Sequence, residues 1–498
     1  MHPSGALSLT SAKRIIPVLN GVRGLLSWAV IAALVVGCGD STSPSSQAGL
    51  QIDAGANVTD TVGAVLPQAL IVQVRKRNGA LVSGAVTRFT ALSNDSVPYA
   101  SAIAVASLNS QYFSDFVSDS TDAQGRASVL VGLGSVAGKA GIAITVPELG
   151  LTDTAWYTVK PGRPAHFALS VRDTVVSKGT TWDIGVHVTD RYGNPLPTDS
   201  VTFASINDGA TVTASGHVTA TAEGRAGIEV RSGTARDTSR ASVVPTGMLV
   251  GVRPTTGVYL MSLDGSGLKT LTATGDYSVF PQWSPDGKRI TIYEGNPYGE
   301  ARLTALALDG TRTPVVPTPA SQLGGAAWMR PDMNGLLYFA GPRSDTHAMA
   351  IWRMNADGSG LVKLGDPTNT IDFTHPAPSP DGKTVLYDVD PQGIMALDVA
   401  TSSVHALGLL GSFPVYSPDG AHIAYLSGAT LMIANSDGTG ARVLWGSSTI
   451  DVSAPSWSAD SKWILAPQGG GGAAIVRVSD DVILPLPFAF GYFQLALH

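Results

Sequence analysis

Carboxylate side chains recur at regular intervals through the C-terminal half of this 498-residue chain. One series lies in the pattern Ser-Pro-Asp-Gly, first at Asp286, with looser copies at Asp332 and Asp460. A second lies mostly in Asp-Gly pairs, first at Asp264, with departures at Asp398 and Asp480. Repeated carboxylates can ligate metal ions or transfer protons. Aspartate beside glycine also forms hairpin turns, because it accepts backbone N–H groups and glycine tolerates positive φ. We predict this structural role in turns for the whole set: Asp264, Asp286, Asp309, Asp332, Asp357, Asp381, Asp398, Asp419, Asp437, Asp460 and Asp480.

The two series alternate with a spacing that predicts a β-propeller. Successive members of either series lie 38 to 49 residues apart, which is the length of a four-stranded blade. Each repeat reads as strand a, the Ser-Pro-Asp-Gly turn, strand b, a loop, strand c, the Asp-Gly turn and strand d. Over residues 248–498 the repeat resembles the PD40 (WD40-like) repeat of TolB-type six-bladed propellers. The α/β domain of TolB proper has no counterpart here, so the resemblance implies the propeller and not a Tol–Pal role.

The turns also predict how the ring closes. The first Asp-Gly turn, at Asp264, follows a b-like strand over residues 248–253 that has no a strand before it. The apolar tail over residues 490–497 follows the last d strand. We predict that this tail is the missing a strand, so that one C-terminal and three N-terminal strands complete the first of six blades. Such closure covers the edges of the array.

The only cysteine, Cys38, ends an N-terminal segment of secretory character. Basic residues precede an apolar run over residues 25–36, which is too short for a comfortable membrane span. The end of the run, Val35-Val36-Gly37-Cys38, resembles the lipobox of bacterial lipoproteins. The resemblance implies a signal peptide over residues 1–37, a lipid on the Cys38 thiol and a polar tether over residues 38–49. It also implies a membrane anchor in the cell envelope, and the absence of Asp directly after the cysteine favours the outer membrane.

Residues 50–161 and 162–247 each contain short alternating strands between turn residues, a pattern that predicts two β-sandwiches. The first contains Ala123-Gln124-Gly125-Arg126-Ala127, and we match it to Ala222-Glu223-Gly224-Arg225-Ala226 in the second. The order of strands and turns resembles bacterial Ig-like modules of the invasin/intimin type. That resemblance implies tandem spacers or stalks. The first module carries extra residues over 94–118.

Composition and missing motifs exclude several function classes. The net charge is −6 without a long basic run, which argues against nucleic acid as a partner. There is no His-Glu-x-x-His, Gly-x-Ser-x-Gly or P-loop pattern, and Asn355–Gly360 begins like a calcium loop but lacks the closing Glu. We therefore expect no catalytic residue, metal or cofactor. Four histidines fall in the propeller and leave open a ligand in its channel: His347, His375, His405 and His422.

The chain thus reads as an all-β protein with two functional interpretations. The first is a non-enzymatic envelope lipoprotein, in which an Ig-like stalk holds the propeller off the membrane to bind a protein or other envelope partner. The alternative is a glycan-binding or carbohydrate-active propeller enzyme, since some six-bladed propellers act on sugars or esters. A cluster of carboxylates with His or Trp on one propeller face would favour the alternative. We predict the first.

Overall fold

The protein is all-β in the part of the chain that the structure, a computed structural model, describes. Those residues form 42 strands, β1–β42, and two single-turn 3₁₀ helices, Pro147–Leu149 and Thr198–Ser200. No helix among them is long and apolar enough to cross a membrane. Residues 1–48, with Cys38, and also Asp332 lie outside the described residues. The described ranges are 49–92, 102–110, 112–253, 257–272, 278–284, 286–295, 301–314, 330–331, 335–342, 349–355, 357, 359–365, 375–389, 393–446, 454–468, 472–486 and 494–498.

Residues 49–161 form a two-sheet unit, here called the first unit. Its strands are β1 (Gly49–Ala54), β2 (Thr59–Thr61), β3 (Leu70–Arg75), β4 (Val86–Leu92), β5 (Ile103–Ala106), β6 (Phe116–Ser120), β7 (Arg126–Leu133), β8 (Gly138–Val146) and β9 (Leu151–Lys160). One sheet has the order β1-β3-β7-β5 and the other β2-β9-β8-β4-β6. Strand β9 shows the two-residue period of a half-buried strand, because Ala155, Tyr157 and Val159 are buried and the residues between them are exposed.

Residues 162–247 form the second unit, whose strand pairing repeats that of the first. Its strands are β10 (Pro164–Leu169), β11 (Asp173–Ser177), β12 (Thr181–Asp183), β13 (Val186–Asp190), β14 (Val201–Ser205), β15 (Ala210–Val212), β16 (His217–Ala220), β17 (Gly224–Ser232) and β18 (Ala235–Val244). Strand β18 runs parallel to β11 as β9 does to β2, and β17 pairs with β14 as β8 does with β4. Strand β16 lies between β12 and β15 as β7 lies between β3 and β5. Strand β6, which begins within the extra residues of the first unit, has no such counterpart.

This topology corrects one match made from the sequence. Gly125 precedes β7, whereas Gly224 begins β17, which takes the place of β8. The counterpart of Gly125 (φ +66°) is therefore Gly216 before β16 (φ +84°), and Gly224 (φ +124°) corresponds to Gly138 (φ +136°). The match was wrong because Gly-Arg-Ala encodes a local turn but not the strand's place in the sheet.

The core of each unit lies between its sheets. In the first unit Leu70 and Val72 of one sheet pack against Phe89 and Ile144 of the other, and all four are fully buried. A second cluster fills the second unit in the same way. Burying each such side chain contributes about 1.5–3 kcal/mol, so these apolar residues stabilise the packing of the two sheets.

A buried polar turn joins the first unit to the second. The Asn194 side chain donates from Nδ2 to the Ser135 carbonyl at 2.7 Å and accepts the Ala137 N–H at 2.8 Å. Asp190, which is fully buried, accepts the same Nδ2 at 2.9 Å and the Gly162 N–H at 2.8 Å. Because buried polar groups are costly without partners, these bonds fix the orientation of one unit on the other.

Residues 248–498 form six four-stranded antiparallel sheets in the described ranges, here called the six-sheet region. Sheet 1 contains β19 (Met248–Arg253), β20 (Gly257–Ser262), β21 (Lys269–Thr270) and β42 (Gln494–Leu497). Sheet 2 contains β22 (Ser278–Trp283), β23 (Arg289–Gly295), β24 (Ala301–Ala307) and β25 (Arg312–Pro314). Sheet 3 contains β26 (Arg330–Pro331), β27 (Leu337–Pro342), β28 (Met349–Met354) and β29 (Val362–Gly365).

The remaining three sheets follow the same order of strands. Sheet 4 contains β30 (Ala377–Pro378), β31 (Thr384–Val389), β32 (Gly393–Asp398) and β33 (Val404–Leu409). Sheet 5 contains β34 (Ser412–Tyr416), β35 (His422–Ser427), β36 (Thr430–Asn435) and β37 (Arg442–Gly446). Sheet 6 contains β38 (Ser456–Trp457), β39 (Trp463–Gln468), β40 (Gly472–Arg477) and β41 (Ile483–Leu486).

Apolar clusters hold neighbouring sheets together in the described ranges. Apolar clusters join sheets 1 and 2, sheets 3 and 4, sheets 4 and 5, and sheets 5 and 6. A further cluster brings Leu497 and Met261 of sheet 1 against Trp463 and Leu465 of sheet 6. The C-terminal strand β42 pairs antiparallel with β19, with Ala496 opposite Val250. The first and last sheets of the region are therefore neighbours.

Candidate functional site

The six sheets present two different ends to solvent. In sheet 4 the turns after β30 and β32, which contain Asp381 and Asp398, lie at the same end because the strands alternate in direction. The C-terminal end of β31 and the connection at residues 410–411 lie at the opposite end. The other sheets repeat this order. We call these ends the turn face and the loop face.

The turns between the first two strands of a sheet are closed by their own side chains. Asp381 accepts the Ser379 hydroxyl at 2.7 Å and the Lys383 N–H at 3.1 Å, while the Ser379 Oγ accepts the Thr384 N–H at 3.0 Å. In sheet 6, Ser461 takes the place of the turn glycine at φ +61°. The aspartates with this arrangement are Asp286, Asp381, Asp419 and Asp460.

The turns between the last two strands use a similar device. Asp437 accepts the backbone N–H of Thr439 at 2.9 Å and the Thr439 hydroxyl at 2.6 Å. Asp480 instead accepts two hydrogen bonds from the Arg477 guanidinium, at 2.7 and 2.8 Å. The aspartates that accept N–H groups of their own turn in this series are Asp264, Asp309, Asp357, Asp398 and Asp437.

These hydrogen bonds keep the turn aspartates ionised. The Ser379 hydroxyl, followed by the Lys383 N–H, lowers the pKa of Asp381 to about 2. At Asp264 and Asp460 burial raises the pKa, but the hydrogen bonds together outweigh it and the net shift is downward. Across the described ranges, no group of three or more His, Cys, Asp or Glu side chains could hold a metal ion. The turn carboxylates are thus engaged in their own turns and do not gather into a ligand site.

The turn face is partly covered by the second unit, which docks on sheets 6 and 1. The Glu223 carboxylate accepts the Trp463 indole N–H at 3.2 Å, and its backbone carbonyl accepts Arg477 Nη1 at 3.0 Å. Arg225 Nη2 donates to the Ile483 carbonyl at 3.1 Å. The Arg477 guanidinium also lies 5.2 Å from the Trp463 ring centroid, within the range of a cation–π contact.

A second contact extends this junction to sheet 1. The Ser177 hydroxyl donates to Asp264 Oδ2 at 2.7 Å, so one turn aspartate also links two parts of the chain. The docking turn, Glu223-Gly224, is the topological counterpart of Ala137-Gly138, which contacts the second unit in the first junction. Each unit therefore meets the next part of the chain with the same turn. The loop face points away from both units.

The loop face carries a buried histidine–aspartate pair in sheet 4. His375, just before β30, and Asp388, near the end of β31, each have side chains about 10% exposed. The His375 Nδ1 lies 2.9 Å from both Asp388 oxygens, and its backbone N–H donates to Oδ1 at 2.8 Å. Because a carboxylate only accepts hydrogen bonds, Nδ1 carries the proton in this arrangement. The pair fixes the orientation of the imidazole.

An aromatic ring from the next sheet lies against this imidazole. The Phe413 ring stacks on His375 with centroids 3.9 Å apart and an interplanar angle of 30°. Phe413 has φ +55°, which is rare for a residue with a side chain, and lies at an irregularity in the pairing of β34 with β35. Strained backbone of this kind clusters at functional sites. The ring, the imidazole and the carboxylate form the candidate site that the described residues place at the loop face.

The sequence contains a signal for this site that we did not use. Asp388 interrupts the apolar strand β31, whereas Leu426 of sheet 5 and Pro467 of sheet 6 occupy the same position. A charged residue in a buried strand needs a partner, and the nearby His375 supplies it. Of the other three histidines that the sequence places in the six-sheet region, His405 lies in the exposed β33, His422 begins β35 at the turn face, and His347 lies outside the described residues.

Comparisons with known proteins give similarity over parts of the chain. No family model matches it. An uncharacterized protein from Agrobacterium fabrum is 30% identical over 186 residues, which are 34% of this chain and 61% of that protein. The chain thus spans about three fifths of the length of the curated relative that it matches.

Similar solved structures differ in their named functions. TolB from Acinetobacter baumannii has 15% identity and a TM-score of 0.44, over 67% of this chain and 99% of that one. An oligogalacturonate lyase from Vibrio parahaemolyticus has 14% identity and a TM-score of 0.34, over 61% and 100%. A nidogen/laminin complex has 10% identity and a TM-score of 0.40, over 51% and 98%. None of these TM-scores reaches 0.5, so the similarity carries no functional inference for this chain.

Proposed function

We propose that the chain is a non-enzymatic lipoprotein of the bacterial cell envelope whose loop face binds a protein or another envelope component. In this proposal the lipid is on Cys38, the two units are Ig-like sandwiches that form a stalk, and the six sheets are the blades of a propeller. Strand β42 completes the first blade beside β19. The order of anchor, stalk and head follows the order of the sequence.

The packing of the sheets supports the propeller. Four pairs of consecutive sheets share apolar clusters in the described ranges, and sheet 6 shares one with sheet 1. A closed ring accounts for this contact between the first and last sheets, and it leaves no long unpaired edge. The matching strand pairings of the two units likewise support a tandem origin for the stalk.

One observation carries the choice of binding surface, namely the docking of the second unit on the turn face. Glu223 and Arg225 hold the stalk against sheet 6 and Ser177 holds it against Asp264 of sheet 1, while the other described turn aspartates use their oxygens within their own turns. The loop face is left pointing away from the anchor. Leu410, at 68% exposure, is an apolar side chain on this face.

The test is affinity capture from detergent-solubilised envelopes with the full chain as bait. The loop-face variant carries Leu410→Arg and Ala429→Arg. The matched control carries Leu361→Arg and Ala400→Arg on the turn face, where Leu361 is 54% exposed. We expect the wild type and the control to retain a partner that the loop-face variant loses by at least about tenfold, since a buried unpaired charge costs several kcal/mol at an interface. Equal capture by both variants would refute the assignment of this face.

The buried pair of His375 and Asp388 favours a second candidate function, glycan binding or carbohydrate chemistry. An oriented imidazole beside an aromatic ring can hydrogen-bond a sugar hydroxyl or transfer a proton. The purified full chain would be screened on glycan arrays and for hydrolysis beside His375→Gln. A glycan that the wild type retains and the variant loses, with an unchanged melting temperature, would support this candidate over the first.

The proposed location is the outer membrane, with the protein exported and anchored through Cys38. The support is the lipobox-like segment of the sequence, which lies outside the described residues. Metabolic labelling with a fatty acid, followed by membrane fractionation, tests it. We expect the label and the membrane association to be lost together in Cys38→Ser. A soluble or unlabelled wild-type protein would refute the anchor.

A further inference from the structure

In the second unit, the turn at residues 190–194 holds the first unit in place. The first unit contains an equivalent turn at residues 76–80. In the second unit, Asp190 N–H donates to the Asn194 carbonyl at 3.0 Å and Gly193 N–H to the Asp190 carbonyl at 3.1 Å. In the first unit, Lys76 and Ala80 make the same pair of bonds with Gly79, at 2.8 and 2.9 Å. Lys76 thus replaces Asp190, and Ala80 replaces Asn194.

This replacement removes the groups that receive a neighbouring unit. Asp190 and Asn194 are buried and hold the first junction. Lys76 and Ala80 are exposed and offer neither the carboxylate nor the amide. The turn of the first unit therefore does not receive a further unit by these contacts, and another surface has to be considered for it.

The turn is also where the chain enters the first unit. Gly49 lies opposite Arg75 in the pairing of β1 with β3, so the proposed tether leads directly to this end. The 11 residue steps from Cys38 to Gly49 span at most about 40 Å when fully extended. A lipid on Cys38 would hold this end of the first unit close to the membrane, with the second unit at the other end.

The same turn is basic. Arg75, Lys76 and Arg77 are consecutive and exposed, and Arg75 is oriented by hydrogen bonds to Gln73 Oε1 at 2.7 Å and to the Gly79 carbonyl.

Nearby carboxylates are partly engaged, because Asp53 pairs with Arg126 at 3.2 Å and Asp122 accepts N–H groups of its own turn. Glu148, in the adjacent 3₁₀ turn, offsets one of the three charges.

We propose that this basic turn, Arg75–Arg77, contacts the anionic phospholipid headgroups of the membrane in which the protein is anchored. The proposal depends on the lipid anchor proposed above, which brings the turn within reach. A Lys or Arg near an anionic bilayer shifts the equilibrium toward contact by about fivefold, so the net charge of two that remains beside Glu148 shifts it by about 25-fold at low salt. The contact would set the stalk upright and direct the loop face away from the bilayer.

The experiment measures the depth of a nitroxide label relative to the lipid phosphates in nanodiscs. Cys38 is the only cysteine, and a lipidated thiol does not react, so Ala80→Cys gives one labelling site in the lipidated full chain. Ala400→Cys, on the turn face of sheet 4, is the control site.

Discs contain neutral lipid alone or about one third phosphatidylglycerol. The test variant is Arg75→Gln with Lys76→Gln and Arg77→Gln, and Arg75→Lys with Arg77→Lys preserves the charge.

We expect the label at position 80 to lie at the depth of the lipid phosphates only in the anionic discs. The charge-preserving variant should show the same depth as the wild type. This depth should be lost in the neutralised variant and in 1 M salt, where the screening length is about 3 Å. The same label depth in the neutralised variant and the wild type would overturn the proposal.

Failure of the anchor is a separate result, since an unlipidated Cys38 would react with maleimide. In that case the full chain is tested on anionic vesicles directly, and binding that is insensitive to the neutralising substitutions overturns the proposal.

Discussion

The Trp463 indole donates a hydrogen bond to the Glu223 carboxylate at 3.2 Å, although the two residues lie 240 positions apart in the chain. Trp463 is fully buried and belongs to the cluster that joins sheets 6 and 1. Glu223 belongs to the turn by which the second unit docks. One tryptophan therefore serves both the core of the six-sheet region and its junction with the second unit.

Replacing Glu223 by alanine should loosen this junction without unfolding either side. The substitution leaves the partly buried indole N–H of Trp463 without its acceptor, which costs about 1–3 kcal/mol. We expect the Gly224 and Arg225 amides at the start of β17 to exchange hydrogen at least about tenfold faster, with protection in β16, β18, β39, β40 and the rest of β17 unchanged. Glu223→Gln is the matched control because it keeps an acceptor oxygen, and it should change exchange less. Equal protection in the alanine variant and the wild type would contradict this role.

The junction between the two units should depend on Asn194 in a comparable way. Its buried amide satisfies both the Ser135 carbonyl and the Ala137 N–H, so Asn194→Ala leaves two main-chain groups unpaired at about 1–3 kcal/mol each. We expect small-angle scattering of Asn194→Ala to show a broader distribution of interatomic distances than that of the wild type. Asn78→Ala is the control, because Asn78 closes a turn by accepting the Ala80 N–H outside any junction. A profile that is unchanged in Asn194→Ala but altered in the control would reverse the assignment.

How far the sequence predicts this structure depends on how local each interaction is. The turn at Asp381 is closed by residues within five positions of one another, so its sequence pattern predicts it directly. The pairing of β42 with β19 spans the whole six-sheet region, yet the count of turns predicts it because one strand is missing at the start. Both predictions rely on repetition.

The contacts that combine distant segments were not predictable in this way. Nothing near Glu223 in the sequence identifies Trp463 as its partner, because the pairing depends on how the second unit meets sheet 6. The mismatch of Gly224 with Gly125 has the same origin, since strand order and not local pattern decides which turn is equivalent. His375 and Asp388 lie only 13 positions apart, and there the charged residue in an apolar strand was a usable signal.

Acid should destabilise the six-sheet region in a defined pH range. The pKa of Asp381 is about 2 in the folded chain, against about 3.9 for an unperturbed aspartate. A lowered folded pKa means that the stabilisation is present above pH 4 and is lost as the pH falls toward 2. Other turn aspartates shift in the same direction, including Asp437 and Asp480.

The measurement is the melting temperature between pH 7 and pH 2. Because Asp381 is largely exposed, we expect only roughly 0.5–1 kcal/mol from this turn. Asp381→Asn should melt lower than the wild type at pH 7 and lose less on acidification, since it has no carboxyl to protonate there. Parallel curves for the two proteins over the whole range would show that the turn does not contribute to the acid response.

Truncating Leu497 should weaken the contact between the first and last sheets. Its side chain is 4% exposed and packs in the cluster shared by sheets 1 and 6. Leu497→Ala creates a cavity there, and we expect a loss of about 2–5 kcal/mol in the free energy of unfolding in urea. Leu268→Ala, at a side chain 59% exposed, is the control and should stay within about 0.5 kcal/mol. Hydrogen exchange should locate the effect in β42, β19 and β39. Destabilisation confined to sheet 1, with sheet 6 unaffected, would mean that the two sheets do not support each other.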